Sequence, residues 1–600
     1  MKQDKIRNIA IIAHVDHGKT TLVDQLFKQS GMFRENQEVS ERLMDSIDLE
    51  RERGITIKSK NGACKYKDYQ INIIDTPGHA DFGGEVERVL KMADGAVFLV
   101  DAAEGPMPQS YFVLKKAVAL NLPIIVCVNK IDKADARCDW VVDQVFDLLV
   151  NLDAPDNIID FPVIYASAKA GIAKNELDST NENMNDLFDL IIDRIPSPKG
   201  DPNGNLQFLT TTISYSPFMG RLAIGKISQG SIKVNQDVSV AIPGQVIKTG
   251  RITKIFGFEA DQQVEIPNAE AGDIVAVSGI EDITIGQTIT SKDNPEALEG
   301  IVVDPPTVSM TFMANTSPFS GKEGDFVTST QLKDRLFKEL LTDVAMTIED
   351  HGESVGYKVS GRGELHLSIF IEKLRREGYE FQVSKPTVIF REVDGKKEEP
   401  YEKLSIEVNE DYMGKVIERL GERKGQCIEM RQENGMAYLT YRIPTRGLLG
   451  YQSEFMTDTK GMGIMNYVFD SYGPFTGEIK TRKNGVLISK ETSKTIAYSL
   501  VSIQERGRLF LGPGIDVYEG QIIGENSRED DLVVNASKGK KLTNMRASGS
   551  DDNVVLTPPT IMSLEQCLSF ITDQELVECT PKNIRLRKKL LSESDRKRQK

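Results

Sequence analysis

The sequence is poor in cysteine and histidine, the residues that build zinc sites and disulfide frameworks. Its six cysteines are scattered without a CxxC pair, and five histidines in 600 residues leave no zinc-type spacing. Reduced thiols in a cytoplasmic protein are the simpler interpretation. No apolar run approaches the roughly 18 residues of a membrane span. The apolar run that starts at Ile9 is interrupted at His14 and Asp16, which indicates a buried strand rather than a signal peptide. We therefore expect a cytoplasmic location and no membrane contact.

Basic residues are also fewer than acidic residues. The chain has 74 lysines and arginines against 89 aspartates and glutamates, a formal net charge of −15, which argues against a general nucleic-acid binder. The exception is the segment from Lys582 to Lys600, with nine basic and two acidic residues. An acidic body with a basic end can still contact phosphate locally.

Length and pattern predict several domains, because 600 residues exceed what one hydrophobic core organises. Continuous β-branched runs such as Ile71–Asp75, Ala96–Asp101 and Ile124–Asn129 are typical of covered parallel strands, so residues 1–200 are predicted to form an α/β domain. A Pro/Gly-rich linker follows at 195–204. Short β-type runs punctuated by glycines then predict a β-barrel domain over residues 204–300.

The second half of the chain reads as two similar units and a tail. Residues 305–390 show the order strand, helix, strand, helix, strand, with a helix predicted over 332–346. Residues 398–477 repeat a similar order after a short charged linker, Glu392–Glu399. Both are predicted to be ferredoxin-like α+β domains. Residues 478–600 are glycine-rich and predict a mixed, mostly-β C-terminal domain.

A phosphate-binding loop is the strongest motif, and it lies between an apolar strand and a helix at 13–20. Backbone N–H groups there can surround the β-phosphate, Lys19 can neutralise phosphate oxygens, and the Thr20 hydroxyl can bind Mg²⁺. Ala13 stands where the usual pattern has its first glycine, a departure that weakens the bare motif. The loop residues assigned to the nucleotide are Asp16, His17, Gly18, Lys19, Thr20 and Thr21.

Two further motifs predict the magnesium and γ-phosphate contacts. Asp75 ends a buried strand before Thr-Pro-Gly78, so its carboxylate can hold Mg²⁺ through water while Gly78 N–H turns to the γ-phosphate. Thr56, in Arg-Gly-Ile-Thr-Ile, can complete the Mg²⁺ shell in the triphosphate state. Taken alone, Asp75 is better explained as a turn residue and Thr56 as a strand start. Their order beside the phosphate loop favours the nucleotide site.

Two loops predict a preference for guanine. Asp132, in Asn129-Lys130-Ile131-Asp132, can accept hydrogen bonds from N1–H and the exocyclic amine of guanine, whereas adenine presents the opposite pattern. Asn129 can brace the loop and the stem of Lys130 can cover the base. The turn Ser167-Ala168-Lys169 can add a backbone contact. The predicted ligands are therefore GTP or GDP with Mg²⁺, and the predicted enzyme is a P-loop GTPase.

The run His14-Val-Asp-His-Gly-Lys-Thr-Thr21, the Arg-Gly-Ile-Thr-Ile segment and Asp-Thr-Pro-Gly-His79 resemble the translational GTPases. The resemblance implies that His79 is catalytic and positions the attacking water, and that Val15 and Ile55 form an apolar gate beside it. Catalysis would then depend on positioning and charge stabilisation. Because no intrinsic arginine finger is evident, the resemblance implies slow hydrolysis without a partner.

Nearly the whole chain resembles one branch of that class, the BipA (TypA) family. The segments 421–425, 443–450, 453–456 and 540–548 carry this resemblance, while the segment 360–367 resembles the third domain of the elongation factor G group. The short connection at 392–399 leaves no room for the extra domain of elongation factor G. The LepA family shares the first four domains but has a different C-terminal one, and it stays the second choice.

The BipA resemblance implies a ribosome-associated GTPase that hydrolyses GTP to GDP and phosphate and binds the ribosome in its GTP state. It implies action in translation regulation, stress adaptation and large-subunit assembly, with the 70S ribosome, the large subunit, rRNA and tRNA as partners and a monomer off the ribosome. The residues assigned to RNA contact are Lys538, Lys540, Lys541, Asn544 and Arg546. A solvated Gly/Ser/Lys loop is the alternative for that cluster.

Two other classes stay open. The first is an RNA-binding assembly factor in which GTP is only a structural ligand, and it predicts that a His79 variant keeps its function. The second is a factor that protects ribosomes from an antibiotic. Such proteins carry an extra domain for which this sequence has no room.

Overall fold

The computed structural model describes residues 3–14, 16–31, 48–53, 56, 59–77, 83–301, 306–343, 345–352, 356–433, 435–479, 482–539 and 556–599. The chain divides into two compact units. One comprises Met1–Asp304 with Leu341–Val344, and the other Pro305–Leu340 with Ala345–Lys600. Within the described ranges, no helix is both long and apolar enough to cross a membrane.

The first unit begins with the predicted α/β domain. Its strands are β1 (Ile6–Ala13), β2 (Lys60–Tyr66), β3 (Tyr69–Asp75), β4 (Gly95–Asp101), β5 (Ile124–Asn129), β6 (Val163–Ser167) and β7 (Ile172–Lys174). They form a sheet in the order β2-β3-β1-β4-β5-β6-β7. The five central strands are parallel and the two edge strands antiparallel. The parallel strands are apolar and almost wholly buried, as strands covered on both faces must be.

Helices cover both faces of this sheet. They are α1 (Lys19–Gln29), α2 (Asp48–Arg53), α3 (Gly83–Leu90), α4 (Pro108–Ala119), α5 (Cys138–Asn151), α6 (Asp156–Ile159) and α7 (Asn185–Arg194), after a short 3₁₀ turn at Gln3–Lys5. Leu22, Leu26 and Phe27 of α1 recur at helical spacing and pack under the sheet. Because α1 follows β1 and packs against the sheet, the first turn of α1 lies near the carboxyl end of β1.

The barrel domain follows in the same unit. Its strands are β8 (Gln207–Ser216), β9 (Gly220–Gln229), β10 (Ser231–Lys233), β11 (Asp237–Ile242), β12 (Gln245–Arg251), β13 (Lys254–Glu259), β14 (Gln262–Ile266), β15 (Asn268–Glu270), β16 (Ile274–Ser278) and β17 (Thr288–Ser291). Successive side chains of β9 alternate between two cores, as strand geometry requires. Ala223 and Ile227 face the barrel interior. Leu222 and Ile224 pack in one cluster with Val86 of α3.

Polar contacts also join the barrel to the α/β domain. Lys226 Nζ lies 2.5 Å from Asp94 Oδ1, and Asn8 Nδ2 donates both to Asp94 Oδ2 at 2.7 Å and to the carbonyl of Gly272 at 3.0 Å. Helix α3 begins five residues after Gly78, so the barrel packs against the segment that follows a predicted γ-phosphate contact.

The second unit starts with a ferredoxin-like domain. Its elements are β18 (Val308–Ala314), α8 (Ser329–Glu339), β19 (Thr347–Asp350), β20 (Tyr357–Gly361), α9 (Glu364–Arg376), β21 (Phe381–Val383) and β22 (Thr387–Val388). The helix predicted to run to residue 346 ends at Glu339, so that prediction was wrong. A capping box between Thr328 and Gln331 starts the helix, and the poor helix formers Thr342 and Asp343 follow Leu340.

The other ferredoxin-like domain contains β23 (Arg391–Val393), β24 (Lys396–Asn409), α10 (Glu410–Glu422), β25 (Gln426–Glu433), β26 (Met436–Pro444), α11 (Thr445–Leu448), α12 (Tyr451–Asp458) and β27 (Ile464–Pro474). The predicted linker Glu392–Glu399 is a hairpin instead, with Arg391 opposite Glu398 and Val393 opposite Lys396. Asp394 and Gly395, both at positive φ, form the turn. The charged composition conceals a strand because the hairpin is largely exposed.

The C-terminal elements are β28 (Val486–Ser489), β29 (Ser493–Lys494), α13 (Ala497–Gln504), β30 (Gly507–Leu509), β31 (Asp516–Val517), β32 (Gln521–Asn526), β33 (Leu532–Val534), α14 (Leu564–Phe570), β34 (Glu575–Cys579), β35 (Ile584–Lys588) and α15 (Glu593–Gln599). Strand β34 pairs antiparallel with β21. One sheet therefore runs from the first ferredoxin-like domain into the C-terminal segment, in the order β19-β20-β18-β21-β34-β35-β32-β28-β33.

A buried carboxylate anchors this shared sheet. Glu575 accepts hydrogen bonds from Arg482 at 2.9 Å through both oxygens and from Lys588 Nζ at 2.6 Å. Burial alone would raise the pKa of Glu575, but Arg482 and Lys588 outweigh it and lower the pKa. The stabilisation is therefore present above the unfolded-state pKa of about 4.3 and is lost as pH falls through the lower folded-state pKa.

We expect Arg482→Met to destabilise the second unit by about 3 kcal/mol at pH 7, because it removes one partner of a buried charge. The measurement is hydrogen exchange of peptides covering β34 and β35 in increasing urea. Arg508→Met is the control, because its ion pair with Glu525 is exposed and should contribute less than about 1 kcal/mol. Equal losses for the two variants would contradict the prediction.

Candidate functional site

The predicted nucleotide residues follow four strands of the first sheet. Strands β1, β3, β5 and β6 are parallel and end at Ala13, Asp75, Asn129 and Ser167. Parallel strands present their carboxyl ends at one edge, the usual ligand-binding edge of such sheets. Residues separated by more than 150 positions in sequence are thereby brought to one edge of the sheet.

The loop between β1 and α1 has the backbone form of an anion cradle. Asp16 and Gly18 both have positive φ, 64° and 95°, and helix α1 begins at Lys19. The first N–H groups of a helix have no intrahelical partner, so those of the Lys19, Thr20 and Thr21 turn can bind an anion. Thr20 is half-buried, Thr21 is exposed and His17 is fully buried.

Lys19 and Asp75 meet in this cradle. Lys19 Nζ lies 2.8 Å from Asp75 Oδ1 and donates to the carbonyl of Thr76. Asp75 is buried, and apart from this ion pair neither of its oxygens accepts a hydrogen bond from the described residues. A buried carboxylate with unused acceptor capacity among the described residues has the chemistry that a hydrated Mg²⁺ requires, and the lysine beside it at a helix N-terminus has the charge that a phosphate requires.

Gly18 allows the loop to approach Asn129 closely. A Cβ at Gly18 would lie 2.5 Å from Asn129 Nδ2. The φ of Gly18, 95°, would also strain any L residue placed there. Asn129 Nδ2 donates to the carbonyl of His17 at 2.8 Å. The phosphate loop is therefore held directly by the first residue of the predicted guanine loop.

We expect Gly18→Ala to lower the free energy of unfolding of the first unit by about 2 kcal/mol, from backbone strain and the clash with Asn129. Urea unfolding followed by fluorescence of Trp140, the single tryptophan, measures it. Gly31→Ala is the control, because Gly31 has a φ of 76° but no atom within 4 Å of its Cβ position. If both variants lose the same free energy, the contact with Asn129 contributes nothing.

The guanine loop is braced from several sides. Asn129 Oδ1 accepts a hydrogen bond from Ala168 N at 2.9 Å, and Ser167 Oγ donates to Asp132 Oδ1 at 2.7 Å. Lys130 has a φ of 62°, and its Nζ reaches back to the carbonyl of Asp16 at 2.5 Å. The predicted base-binding loops are thus connected to each other and to the phosphate loop.

These contacts orient Asp132 while leaving it accessible. The Asp132 and Lys169 side chains are exposed, and Ile131 is half-buried with its N–H 3.3 Å from the carbonyl of Ala166. An exposed carboxylate held by a buried serine at the carboxyl edge of the sheet can accept hydrogen bonds from a planar ligand.

Several predicted residues lie outside the described part of the chain. These are Gly78, whose γ-phosphate contact was predicted from its motif, and His79, Val15 and Ile55, whose roles are implied by resemblance; all four remain predictions. Thr56 is described and buried.

Sequence reasoning did not single out Asp101, the last residue of β4. It is fully buried, and its Oδ2 lies 2.8 Å from Lys130 Nζ and 3.0 Å from Lys133 Nζ. The signal was available, because Asp101 ends a buried parallel strand just as Asp75 and Asn129 do. Burial alone would raise the pKa of Asp101, but hydrogen bonds from Lys130, Ala103 N and Lys133 hold it well below its usual range.

Part of the basic C-terminal region differs from its prediction as a phosphate-binding tail, whereas Lys582, Lys589, Lys597 and Arg598 are exposed. Arg585, Arg587 and Lys588 belong to β35 and are mostly buried. Arg585 pairs with Glu578, and Lys588 pairs with Glu575. These cations stabilise the interior, so they are not available to RNA. Of the residues assigned to RNA contact, Lys538 is exposed, and Lys540, Lys541, Asn544 and Arg546 lie outside the described residues.

Comparison with known proteins agrees with this architecture. Family profiles match residues 4–197 (Elongation factor Tu GTP binding domain), 220–290 (Elongation factor Tu domain 2), 396–483 (Elongation factor G C-terminus) and 484–593 (TypA/BipA C-terminal domain). The fold and the nucleotide-type edge therefore define a GTPase of the elongation-factor class that binds GTP and GDP.

Full-length relatives identify the branch. The chain is 53% identical over 597 residues to the "Large ribosomal subunit assembly factor BipA" of Escherichia coli strain K12, covering 99% of this chain and 98% of that one. It is 50% identical over 598 residues to the protein of the same description from Bacillus subtilis strain 168, with the same two coverages. The chain belongs to the TypA/BipA family.

A solved structure supports the fold. The crystal structure of ttk003000868 from Thermus thermophilus matches with a TM-score of 0.55 and 17% identity, and covers 79% of this chain and 98% of that one.

Proposed function

We propose that this GTPase acts on the ribosome, binds it in the GTP state and contributes to large-subunit assembly, translation regulation and stress adaptation. The supporting observation is the guanine-nucleotide edge of the first sheet in a chain related over 99% of its length to proteins described as large ribosomal subunit assembly factors. We infer that its partners are the 70S ribosome and the large subunit, and that it is a cytoplasmic monomer when unbound.

At the nucleotide site we propose roles that the geometry supports. The N–H groups from Asp16 to Thr21 hold the phosphates, and Lys19 exchanges Asp75 for the β- and γ-phosphate oxygens. Asp132 binds the guanine edge, the stem of Lys130 covers its face, and the turn from Ser167 to Lys169 contacts its rim. Orientation comes from the hydrogen bonds among Asn129, His17 and Ala168.

We propose that Thr20, Thr56 and Asp75 hold Mg²⁺, directly or through water. The buried Asp75 carboxylate, which keeps unused acceptor capacity among the described residues, supports this assignment. When bound, the ion neutralises charge on the phosphates. The role of His79 in orienting water, beside the gate residues Val15 and Ile55, follows from family resemblance.

Contact with rRNA and tRNA is proposed for the segment that contains Lys538, Lys540, Lys541, Asn544 and Arg546. Its support is a basic cluster within an acidic protein, and the exposed side chain of Lys538. The buried cations of β35 are excluded from the proposal.

The test measures GTP turnover of the full chain alone, with large subunits and with intact 70S ribosomes, together with sedimentation in a non-hydrolysable GTP analogue or GDP. We expect slow turnover alone, stimulation by ribosomes and co-sedimentation that requires the analogue. Stimulation without nucleotide-dependent sedimentation would reject the proposed switch. Turnover indifferent to ribosomes would reject the ribosomal function.

A further inference from the structure

The position of Asp101 in the sheet suggests a function that the proposed nucleotide contacts do not include. Strand β4 lies between β1 and β5 in the sheet, so its carboxyl end lies between the phosphate loop and the guanine loop. Asp101 is the last residue of that strand and is fully buried. Its neighbours on both sides carry the nucleotide motifs.

The Asp101 carboxylate is fixed by its own loop. Its Oδ1 accepts hydrogen bonds from Ala103 N at 2.8 Å and from Glu104 N at 3.3 Å. The loop is in turn held by Arg137, whose N–H donates to the carbonyl of Ala102 at 2.8 Å and whose guanidinium donates to the carbonyl of Ala103 at 2.7 Å. The position of the carboxylate is therefore fixed by hydrogen bonds within its own loop, in addition to its contacts with lysine.

The loop is also tied to the phosphate loop. The Asp101 N–H donates to Nδ1 of the fully buried His17 at 3.3 Å. On the other side of the ring, His17 Nε2 lies 3.6 Å from Glu104 Oε2, slightly beyond hydrogen-bond length, and this contact lowers the pKa of Glu104 against the opposing effect of burial. A displacement of the Asp101 loop would therefore alter its contacts with His17 in the phosphate loop.

Lys130 is the side chain that this arrangement holds, and two anchors fix its ammonium. One is Asp101 Oδ2 at 2.8 Å and the other is the carbonyl of Asp16 at 2.5 Å. The aliphatic stem consequently spans from the guanine loop to the phosphate loop. A lysine without these contacts would lose side-chain conformational entropy when a base binds against its stem. A stem that is already held loses less, so binding costs less free energy.

We propose that Asp101 is the positioning residue for Lys130, holding the stem in the conformation that receives the guanine base and thereby setting the lifetime of the bound nucleotide. The inference rests on the proposed function of Lys130. It assigns the Asp101 carboxylate no part in the hydrolytic step, because the contacts of that carboxylate are with Lys130, Lys133 and the N–H groups of its own loop.

The experiment measures dissociation of a fluorescent GDP from the full chain with Mg²⁺ by stopped flow. We expect Asp101→Asn to accelerate dissociation about 10-fold, because a charge-assisted hydrogen bond becomes a neutral one. In a Lys130→Met background the same substitution should change the rate less than about twofold, since the lysine it positions is gone. For Asp101→Asn alone, the rate of hydrolysis in a single turnover at saturating GTP should stay within about twofold of wild type.

Lys133→Met is the matched control. It removes a lysine whose Nζ lies 3.0 Å from the same Asp101 oxygen, against 2.8 Å for Lys130, and which has no bond to the described residues of the phosphate loop, so dissociation should stay within about twofold of wild type. Asp101→Glu keeps the charge and moves it by one methylene, and it should fall between wild type and Asp101→Asn. This variant keeps the test valid if Asp101→Asn does not fold.

Three outcomes would overturn the proposal. They are equal acceleration of GDP dissociation by Asp101→Asn with and without Lys130, equal effects of Asp101→Asn and Lys133→Met on that rate, or a fold loss of single-turnover hydrolysis in Asp101→Asn as large as its fold acceleration of dissociation. Failure of the wild-type chain to bind GDP would instead reject the proposed nucleotide site and this inference with it. If the wild-type chain binds GDP normally and Asp101→Asn does not change the rate of GDP dissociation, only the positioning role of Asp101 is rejected.

Discussion

Asp132→Asn is expected to weaken GTP and GDP binding about 1,000-fold and to create binding of xanthine nucleotides in their place. Aspartate accepts hydrogen bonds from N1–H and the exocyclic amine of guanine. Asparagine presents an amide N–H to that amine, so two donors face each other. Xanthine has a carbonyl oxygen at the same position, which accepts the new hydrogen bond.

The structure explains why the altered side chain should keep its orientation. Ser167 Oγ donates to Asp132 Oδ1 at 2.7 Å, and the amide oxygen of asparagine can accept the same hydrogen bond. Calorimetric titration with GDP and with xanthosine diphosphate measures both effects on one protein. Asp135→Asn, three residues away and also exposed, changes the same charge and should leave GDP affinity unchanged. Unaltered GDP affinity in Asp132→Asn would remove Asp132 from the base site.

The meeting of Asp75 and Asn129 at one edge of the sheet was predictable, because each of them lies at the end of a strand. Both residues end apolar, β-branched runs of the kind typical of buried parallel strands, and parallel strands share a carboxyl edge. Asp101 obeys the same rule, yet Ala-Ala-Glu-Gly after it resembles no motif. Its partners Lys130 and Lys133 come from a different loop, so the contact exists only once β4 and β5 are paired.

The second unit was less predictable, for a different reason. A predicted domain border separated residues 305–390 from 478–600, but β21 pairs with β34 across almost two hundred residues of chain. Periodicity reports which residues are buried and not which strand covers them. For the same reason the sequence of the basic segment does not reveal that Arg585 and Lys588 lie inside the sheet, where they pair with the carboxylates of Glu578 and Glu575.

His79→Ala is expected to lower ribosome-stimulated GTP turnover about 100- to 1,000-fold while GDP affinity stays within about twofold of wild type. The sites proposed to hold the nucleotide do not include this side chain: Lys19 and the loop N–H groups bind phosphate, and Asp132 binds the base. A residue that only orients water therefore affects the rate and not the binding. Turnover with saturating ribosomes and calorimetry with GDP separate the two quantities.

His351→Ala is the matched control, because His351 is an exposed histidine of the second unit and its loss should leave both quantities unchanged. The same variants distinguish a GTPase switch from an assembly factor that uses GTP only as a structural ligand. In a switch, His79→Ala should stay on the large subunit with GTP, as wild type does with a non-hydrolysable analogue. If His79→Ala instead keeps full stimulated turnover, the residue has no catalytic role. If it loses turnover yet still supports subunit assembly and leaves the ribosome normally, hydrolysis is not what releases this protein.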